Sequence, residues 1–455
     1  MSNNTATLNL LNKYNVSVPR YTSYPTAPEW NEELPHNDYL NNIKTLDLED
    51  GIALYIHVPF CEKLCWYCGC NTIIKKQKSH SEKYLKYLMQ EIDQIYSILQ
   101  KRIPVKQLHW GGGSPNFLTT RQTIFLLDKL DECFEIDYSG EIAIEIDPRT
   151  TENEQVDLYR KLGFNRISMG IQSFDFDVQK AINRIQPFER IEELVKLCRK
   201  LKYESINFDL IYGLPKQNIS SFRETVEKTI ELNPDRIALY SFAWLPDKIH
   251  HMKLIQEKDL PSTDQKFELF LLARELLTQG PYTNIAMDHF AKDTDQLSKA
   301  YQEGELHRNF MGYTVQEPRY SLGFGLSAIS YINNTYIQNK KNLDAYYSDI
   351  DNYKAPYNLS KKLNLDDCIR QWVINRLMCS LSVNFAEFKQ KFNIDFPVYF
   401  TEELQRIVEF TQLDFVDISK EGIAILPQGT LFIRNICCLF DSYYATNTKG
   451  FSKAI

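Results

Sequence analysis

The sequence has no apolar run long enough to cross a membrane: stretches such as 52–56 fall far short of the ~20 residues a spanning helix needs. It also lacks an excess of basic charge. Its 52 Lys and Arg stand against 59 Asp and Glu, a formal net charge of −7, whereas nucleic-acid binding calls for a basic stripe or a high pI. The short basic run Lys75-Lys76-Gln77-Lys78 reads as a solvated loop. The opening Met1-Ser2-Asn3-Asn4-Thr5 has neither the basic segment nor the apolar stretch of a signal peptide. Internal repeats and low-complexity tracts are missing as well. Together these absences predict a cytoplasmic protein with no membrane or nucleic-acid partner, in a compartment that keeps thiols reduced.

What is present is an ordinary globular composition, with 43% hydrophobic and 24% charged residues, spread over 455 residues, which is more than one domain usually holds. Residues 1–50 are polar and irregular, with prolines at 19, 25, 28 and 35, and read as an extended arm that wraps a later domain. Short β-type runs follow at 53–58, 105–110, 141–146, 166–171, 205–211 and 236–241, separated by segments of helical spacing. The clearest of these runs from 81 to 100, with Leu85, Leu88, Ile92, Ile95 and Leu99 on one face. Strands alternating with helices imply parallel βαβ units. The fold class is therefore α/β, a partial (β/α)6 barrel over 51–355, whose reactive groups belong at the C-terminal ends of the strands. From 356 to 455 the pattern changes to a small, mostly helical α+β cap: helices at 366–379 and 385–392, a hairpin at 415–418 and 422–425, and a closing helix at 431–443.

Four of the ten cysteines crowd into residues 61–70, which points to metal chemistry rather than disulfides. Cys61, Cys65 and Cys68 have C-x3-C-x2-C spacing. Three thiolates on one loop can hold three corners of a [4Fe–4S] cluster and leave one iron open. The amino and carboxylate groups of S-adenosylmethionine (SAM) can chelate that iron, so that one electron cleaves a C–S bond and yields a 5′-deoxyadenosyl radical. A structural zinc site is the alternative; Cys70 offers a fourth sulfur, but no second cysteine pair follows. Cysteines 133, 198, 368, 379, 437 and 438 are scattered and read as small core residues. Gly111-Gly112-Gly113-Ser114 follows a β-run and suits either close approach to a ligand or a tight turn. Glu145, in a β-run, is either an acceptor for an amine or ribose or part of an exposed strand face.

Several motifs together resemble the oxygen-independent coproporphyrinogen III oxidases of the radical SAM superfamily. They are residues 20–26 (RYTSYPT), 55–70 (through the Cys68-Gly69-Cys70 end of the loop), 109–113 (HWGGG), 207–215 (NFDLIYGLP), 287–290 (MDHF), 306–310 (LHRNF) and 433–437 (IRNIC). The resemblance implies oxidative decarboxylation of two propionates of coproporphyrinogen III to vinyl groups, giving protoporphyrinogen IX. It implies two SAM molecules, one held by Tyr55, Gly112, Glu145 and Ile329, the other by Tyr67, Gly113, Ser114, Gln172, Arg184, Asp209 and Ala243. Tyr55, Glu145 and Cys70 fall in its catalytic region. The family more often carries Phe at 67 and Thr at 114, and often Asp where Ser173 stands. Arg20, His307 and Arg308 are the cations expected to anchor the substrate carboxylates, and Asp288-His289 reads alternatively as a structural pair. A monomer served by an electron-donor protein is expected. A haem-binding chaperone of the same superfamily and a radical SAM methyltransferase acting on haem are the alternatives; the 20–26 motif and Cys70 argue against the chaperone.

Overall fold

In the computed structural model, residues 13–47, 49–315, 319–444 and 453 are described. Six parallel strands lie side by side in chain order: β1 (Ile52–Val58), β2 (Ile103–Gly112), β3 (Phe134–Ile146), β4 (Arg166–Gln172), β5 (Ser205–Tyr212) and β6 (Arg236–Ser241). Each parallel step needs a crossover, and helices supply it. The helix His80–Leu99 buries Tyr84, Leu85, Leu88, Ile92 and Ile95 on the stripe that the sequence period marks. This is the expected α/β arrangement of a partial barrel. The sheet then runs on at both sides. Beyond β1 come Tyr320–Phe324, parallel, and three antiparallel strands, the last being Tyr357–Lys362; beyond β6 come His289–Lys292 and Tyr282–Ile285. Among the described residues, no helix is long and apolar enough to cross a membrane.

Alternation along the strands divides apolar from polar side chains. His109 of β2, Glu145 of β3, Ser168 of β4, Asn207 and Asp209 of β5, and Tyr240 of β6 face a common cavity of about 140 Å³. Leu108, Ile144, Phe208 and Leu239 point the other way into the main core. Below the cavity, toward the N-terminal ends of the strands, lies a buried charge layer. Glu141 pairs with Arg166 (2.8 Å) and Arg236 (3.1 Å), and Arg236 pairs with Asp295 (2.8 Å). Two acids meet two guanidinium groups, so the lumen is closed at its base by a neutral polar plug.

In the C-terminal part, helices Leu365–Ser380 and Phe385–Phe392 and the hairpin Val416–Ile418/Gly422–Ile425 match expectation, and Ser382–Asn384 adds a third strand. The closing helix expected at 431–443 is broken instead into a 3-10 turn Gly429–Phe432, the short helix Ile433–Cys437 and a second turn Cys438–Phe440. Residues 432–438 are buried throughout, so there is no solvent face to favour a regular amphipathic helix. The Arg434 Nε and the Asn435 amide donate to the carbonyls of Pro19 (2.9 Å) and Tyr14 (2.8 Å) in the arm.

The arm itself wraps as expected. Tyr14, Val18, Tyr21 and Tyr24 complete the core of the C-terminal part, and Trp30 stacks on Tyr336 of the large sheet at 4.8 Å. One expectation for the arm fails. It is not irregular throughout, because His36–Lys44 is a helix. Pro35 pre-sets the chain ahead of its first turn, where Asp38 suits the dipole, and Ile43 is buried beneath it. The first twelve residues of the expected arm lie outside the described residues.

Candidate active site

The cysteine loop leaves β1 at the C-terminal edge of the sheet and docks on the segment after β4. The Trp66 amide donates to the Ile182 carbonyl (3.0 Å) and the Asn183 amide to the Leu64 carbonyl (2.7 Å). Tyr67 packs in the same apolar patch. The glycine run after β2 underlies the loop: the Gly113 amide donates to the Val58 carbonyl (2.8 Å) and the Ser114 amide to the Phe60 carbonyl (2.9 Å). A Cβ at Gly113 would lie 2.7 Å from the Pro59 and Phe60 carbonyls, so the close approach requires glycine there. Ser114 Oγ stands 3.6 Å from Cys61 Sγ. Burial pushes the Cys61 thiol up to about 12, and Cys65 and Cys68 are close enough to push it further in the same direction. Cys70 is exposed, and the proximity of its thiol draws the Cys68 thiol down while Cys68 raises that of Cys70.

A second group gathers around Glu145. His109 Nε2 lies 3.0 Å from one carboxylate oxygen, and the Gly112 amide donates to the other at 3.3 Å. Burial opposes the charge, yet the His109 contact and the amide hold the carboxyl below its ordinary value. The side chain is still 42% exposed, leaving an anionic acceptor open to the cavity. Gly112 has φ +112°, and a Cβ there would meet the His57 ring at 2.6 Å. Tyr55 stacks on His109 with ring centres 5.9 Å apart, and its hydroxyl is 3.1 Å from His57 Nδ1. Burial keeps His57 neutral by lowering its pKa.

A third group lies beyond the ends of β3 and β4. Asp147 is buried, and Arg184 and Arg149 overcome that burial and keep it well below the usual carboxylate range. Arg149 grips Asp147 by Nε (2.9 Å) and Nη2 (2.6 Å) and extends Nη2 to Cys65 Sγ at 3.2 Å. Arg184 is 3.4 Å from both Asp147 and Cys65 Sγ, and donates to the Gly170 carbonyl at 2.6 Å. Gln172 has φ +67°, and its side-chain carbonyl oxygen is buried without a partner. Such a conformation is costly away from glycine and is concentrated at functional sites. Asp209, across the cavity, accepts from Asn207 (2.9 Å) and Ser168 (3.5 Å); burial, and then Glu145, push it up to about 7. Ala243 follows β6 by two residues, and Ile329 opens the strand Ile329–Ile332. Ser327 and Gln338, beside Ile329, share a cavity of about 530 Å³ with Cys68 and Cys70.

These residues fit a [4Fe–4S] cluster and its SAM. Two guanidinium groups lie within hydrogen-bonding reach of the Cys65 sulfur, and an orphaned acceptor at Gln172 and an open carboxylate at Glu145 match a cationic, amino-bearing ligand. Among the described residues, no three His, Cys, Asp or Glu side chains gather tightly enough for a single metal ion; the corner ligands of a cubane stand further apart. Of the basic residues expected to anchor substrate, Arg20 pairs with Asp288 (2.8 Å), which also accepts from His289 Nδ1 (2.8 Å). Asp288-His289 is thus a hydrogen-bonded pair. Arg308 packs on the Tyr313 ring at 4.5 Å and donates to the Arg20 carbonyl at 3.4 Å. His307, half-buried, opens the strand His307–Asn309. Sequence reasoning missed the parts played by His57, His109, Asp147 and Arg149. The one available signal was a charged pair directly after a β-run, at the edge where reactive groups collect.

The profile of the radical SAM superfamily matches residues 55–229. The oxygen-independent coproporphyrinogen III oxidase of Synechocystis sp. is 42% identical over 457 residues, covering 98% of this chain and 97% of its own length. That of Salmonella typhimurium is 43% identical over 450 residues, covering 98% of each. Among solved structures, the coproporphyrinogen III oxidase of Escherichia coli, described as a radical SAM enzyme, superposes with a TM-score of 0.90 at 41% identity over 93% of this chain and 97% of that one. A likeness at this level that takes in the arm and the C-terminal part, and not the barrel alone, leaves one conclusion: the chain belongs to the oxygen-independent coproporphyrinogen III oxidases of the radical SAM superfamily.

Proposed function

We propose that this protein catalyses the oxygen-independent oxidative decarboxylation of two propionate side chains of coproporphyrinogen III to vinyl groups, giving protoporphyrinogen IX in haem biosynthesis. The observation that carries this reading is the near full-length identity of 42–43% to oxidases of that name, from the arm to the C-terminal part. When bound, the cluster and SAM supply a carbon radical that takes a hydrogen atom from the propionate β-carbon, after which CO2 and one electron leave.

The chain's own residues hold and orient. Cys61, Cys65 and Cys68 are the cluster ligands, with Arg149 and Arg184 donating to the Cys65 sulfur. Tyr55, Gly112, Glu145 and Ile329 hold one SAM, the Glu145 carboxylate accepting from its amine. Tyr67, Gly113, Ser114, Gln172, Arg184, Asp209 and Ala243 hold a second. Cys70 acts beside the ligands without joining them. The charge layer under the lumen and the arm at its mouth keep water from the radical. The protein works in the cytoplasm as a monomer and receives electrons from a separate donor protein.

The test is an anaerobic assay with coproporphyrinogen III, SAM and a reductant, read by product mass. Two successive losses, each of CO2 and two hydrogens, are expected, with 5′-deoxyadenosine as co-product. Tight haem binding with no turnover would turn the reading to a haem chaperone, and release of S-adenosylhomocysteine to a methyltransferase.

A further inference from the structure

The cluster cysteines do not share one electrostatic setting. Cys61 faces a neutral hydroxyl, Ser114 Oγ, at 3.6 Å. Cys65 faces two guanidinium groups, Arg149 Nη2 at 3.2 Å and Arg184 Nη1 at 3.4 Å. Arg184 has its place in the second SAM site, but Arg149 belongs neither to that site nor to the ligand set. It is nevertheless fixed on every side. Its Nε and Nη2 grip Asp147 at 2.9 and 2.6 Å, and its Nη1 donates to the Asn183 carbonyl at 3.3 Å. Asn183, at φ +54°, in turn donates its side-chain amide to the Leu64 carbonyl at 2.7 Å, one residue before Cys65. The side chains of Arg149 and Asp147 are 6% and 9% exposed. A guanidinium presents its N–H groups in a rigid fork, so the grip on Asp147 aims Nη2 at the Cys65 sulfur.

We infer that Arg149 is a positioning residue that acts through Cys65 to set how readily the cluster takes its electron. The inference rests on the ligand set proposed above, with Cys65 at one corner. One electron from the donor protein makes the cluster one unit more negative. Its transfer to the sulfonium of SAM then breaks a C–S bond, leaving methionine and the deoxyadenosyl radical. Added negative charge in a water-poor barrel is unfavourable unless fixed donors answer it. Part of that charge falls on the ligand sulfurs, so a charged N–H···S bond stabilises the reduced form more than the oxidised one and raises the potential. Asp147 makes the arrangement tolerable: it gives the buried guanidinium a partner. Against the two guanidinium groups it supplies a single negative charge, so these three side chains leave one positive charge in excess beside Cys65.

The test uses the anaerobic holoenzyme in a redox titration, followed by the electron paramagnetic resonance of the reduced cluster. Arg149→Met removes both the charge and the donor. It is expected to lower the midpoint by about 59 mV or more, equivalent to a roughly tenfold loss of reduced cluster at a fixed potential, with iron content near wild type. Arg149→Lys keeps the charge but not the fork, and its midpoint should fall between the two. 5′-Deoxyadenosine formation by Arg149→Met should drop with dithionite and recover toward wild type with titanium(III) citrate, a stronger reductant. A purely structural defect would be the same with both reductants. An unchanged midpoint in Arg149→Met, or a defect equal with both reductants, overturns the inference. Loss of iron from both variants overturns it too, by making Arg149 a support of the loop. A wild-type enzyme that reduces its cluster but gives no vinyl product would instead remove the function proposed above, so the two failures are distinguishable.

Discussion

Cys70 lies two residues beyond Cys68 and lines the same cavity; the open iron that SAM needs leaves Cys70 no corner of the cluster to hold. Cys70→Ser should therefore keep near-normal iron and sulfide yet lose most decarboxylation, while Cys61→Ser, Cys65→Ser and Cys68→Ser lose the cluster outright. Iron analysis beside activity for the four variants separates the two cases, and a Cys70→Ser protein without iron would count against the open-corner arrangement. Asp209 offers a pH test. Its folded pKa of about 7 lies above its ordinary value of 3.8, so the folded state holds the proton more tightly. The stability this confers is complete below about pH 4 and is lost as pH rises through about 7. Asp209→Asn removes the penalty. Its stability relative to wild type should rise by on the order of 1–3 kcal/mol between pH 4 and pH 8, after discounting for partial exposure; parallel stability curves in urea would refute this. The cysteines, Gly113 and Glu145 were legible in the sequence because spacing and strand position are local. Arg149 was not, since it takes its meaning from a contact distant in sequence: Cys65 is 84 residues from it.

Among the elements, the six core strands were the most readable, because short runs of alternating apolar residues recur between segments of helical spacing. The outer strands escaped notice. Tyr282–Ile285 and Ile329–Ile332 are four residues each, and a short edge strand has no period long enough to register. The segment 431–443 misled in the opposite sense, since the apolar residues of 432–438 mark a wholly buried stretch rather than a helix face. The charge layer of β3, β4 and β6 also carried no sequence signal, as its members are far apart in the chain. Glu141→Gln leaves Arg166 and Arg236 with less opposing charge inside the barrel, and loss of one partner in a buried pair costs about 3–5 kcal/mol. Chemical denaturation should show a drop of that order. The surviving folded fraction should retain its iron, because the cysteine loop is at the opposite end of the strands. A loss within 0.5 kcal/mol would mean that the layer is not holding the base shut.

For the molecule as a whole, the arm contributes to two cores, as the helix Thr263–Gln279 also does: Tyr14, Val18, Tyr21 and Tyr24 belong to the C-terminal one, and Ile43 and Leu46 to that of the large sheet. Removing the chain through Trp30 should split thermal unfolding into two transitions, with the C-terminal part melting first and binding a hydrophobic dye, whereas the intact protein melts in one. A single transition at the wild-type temperature would show that the arm contributes no stability. The same feature imposes an order on biosynthesis. The arm is made first, yet the core that Tyr14, Val18, Tyr21 and Tyr24 complete is built mainly from residues 369–440, so this stretch of the arm stays undocked until almost the whole chain has left the ribosome. At roughly 5–20 residues per second that wait is on the order of twenty seconds or longer. Throughout it the six core strands and the cysteine loop, already made, wait for the arm to dock, and the short helix Ile433–Cys437, among the last of the described elements to emerge, is the one that fastens Pro19, and with it Arg20, in place.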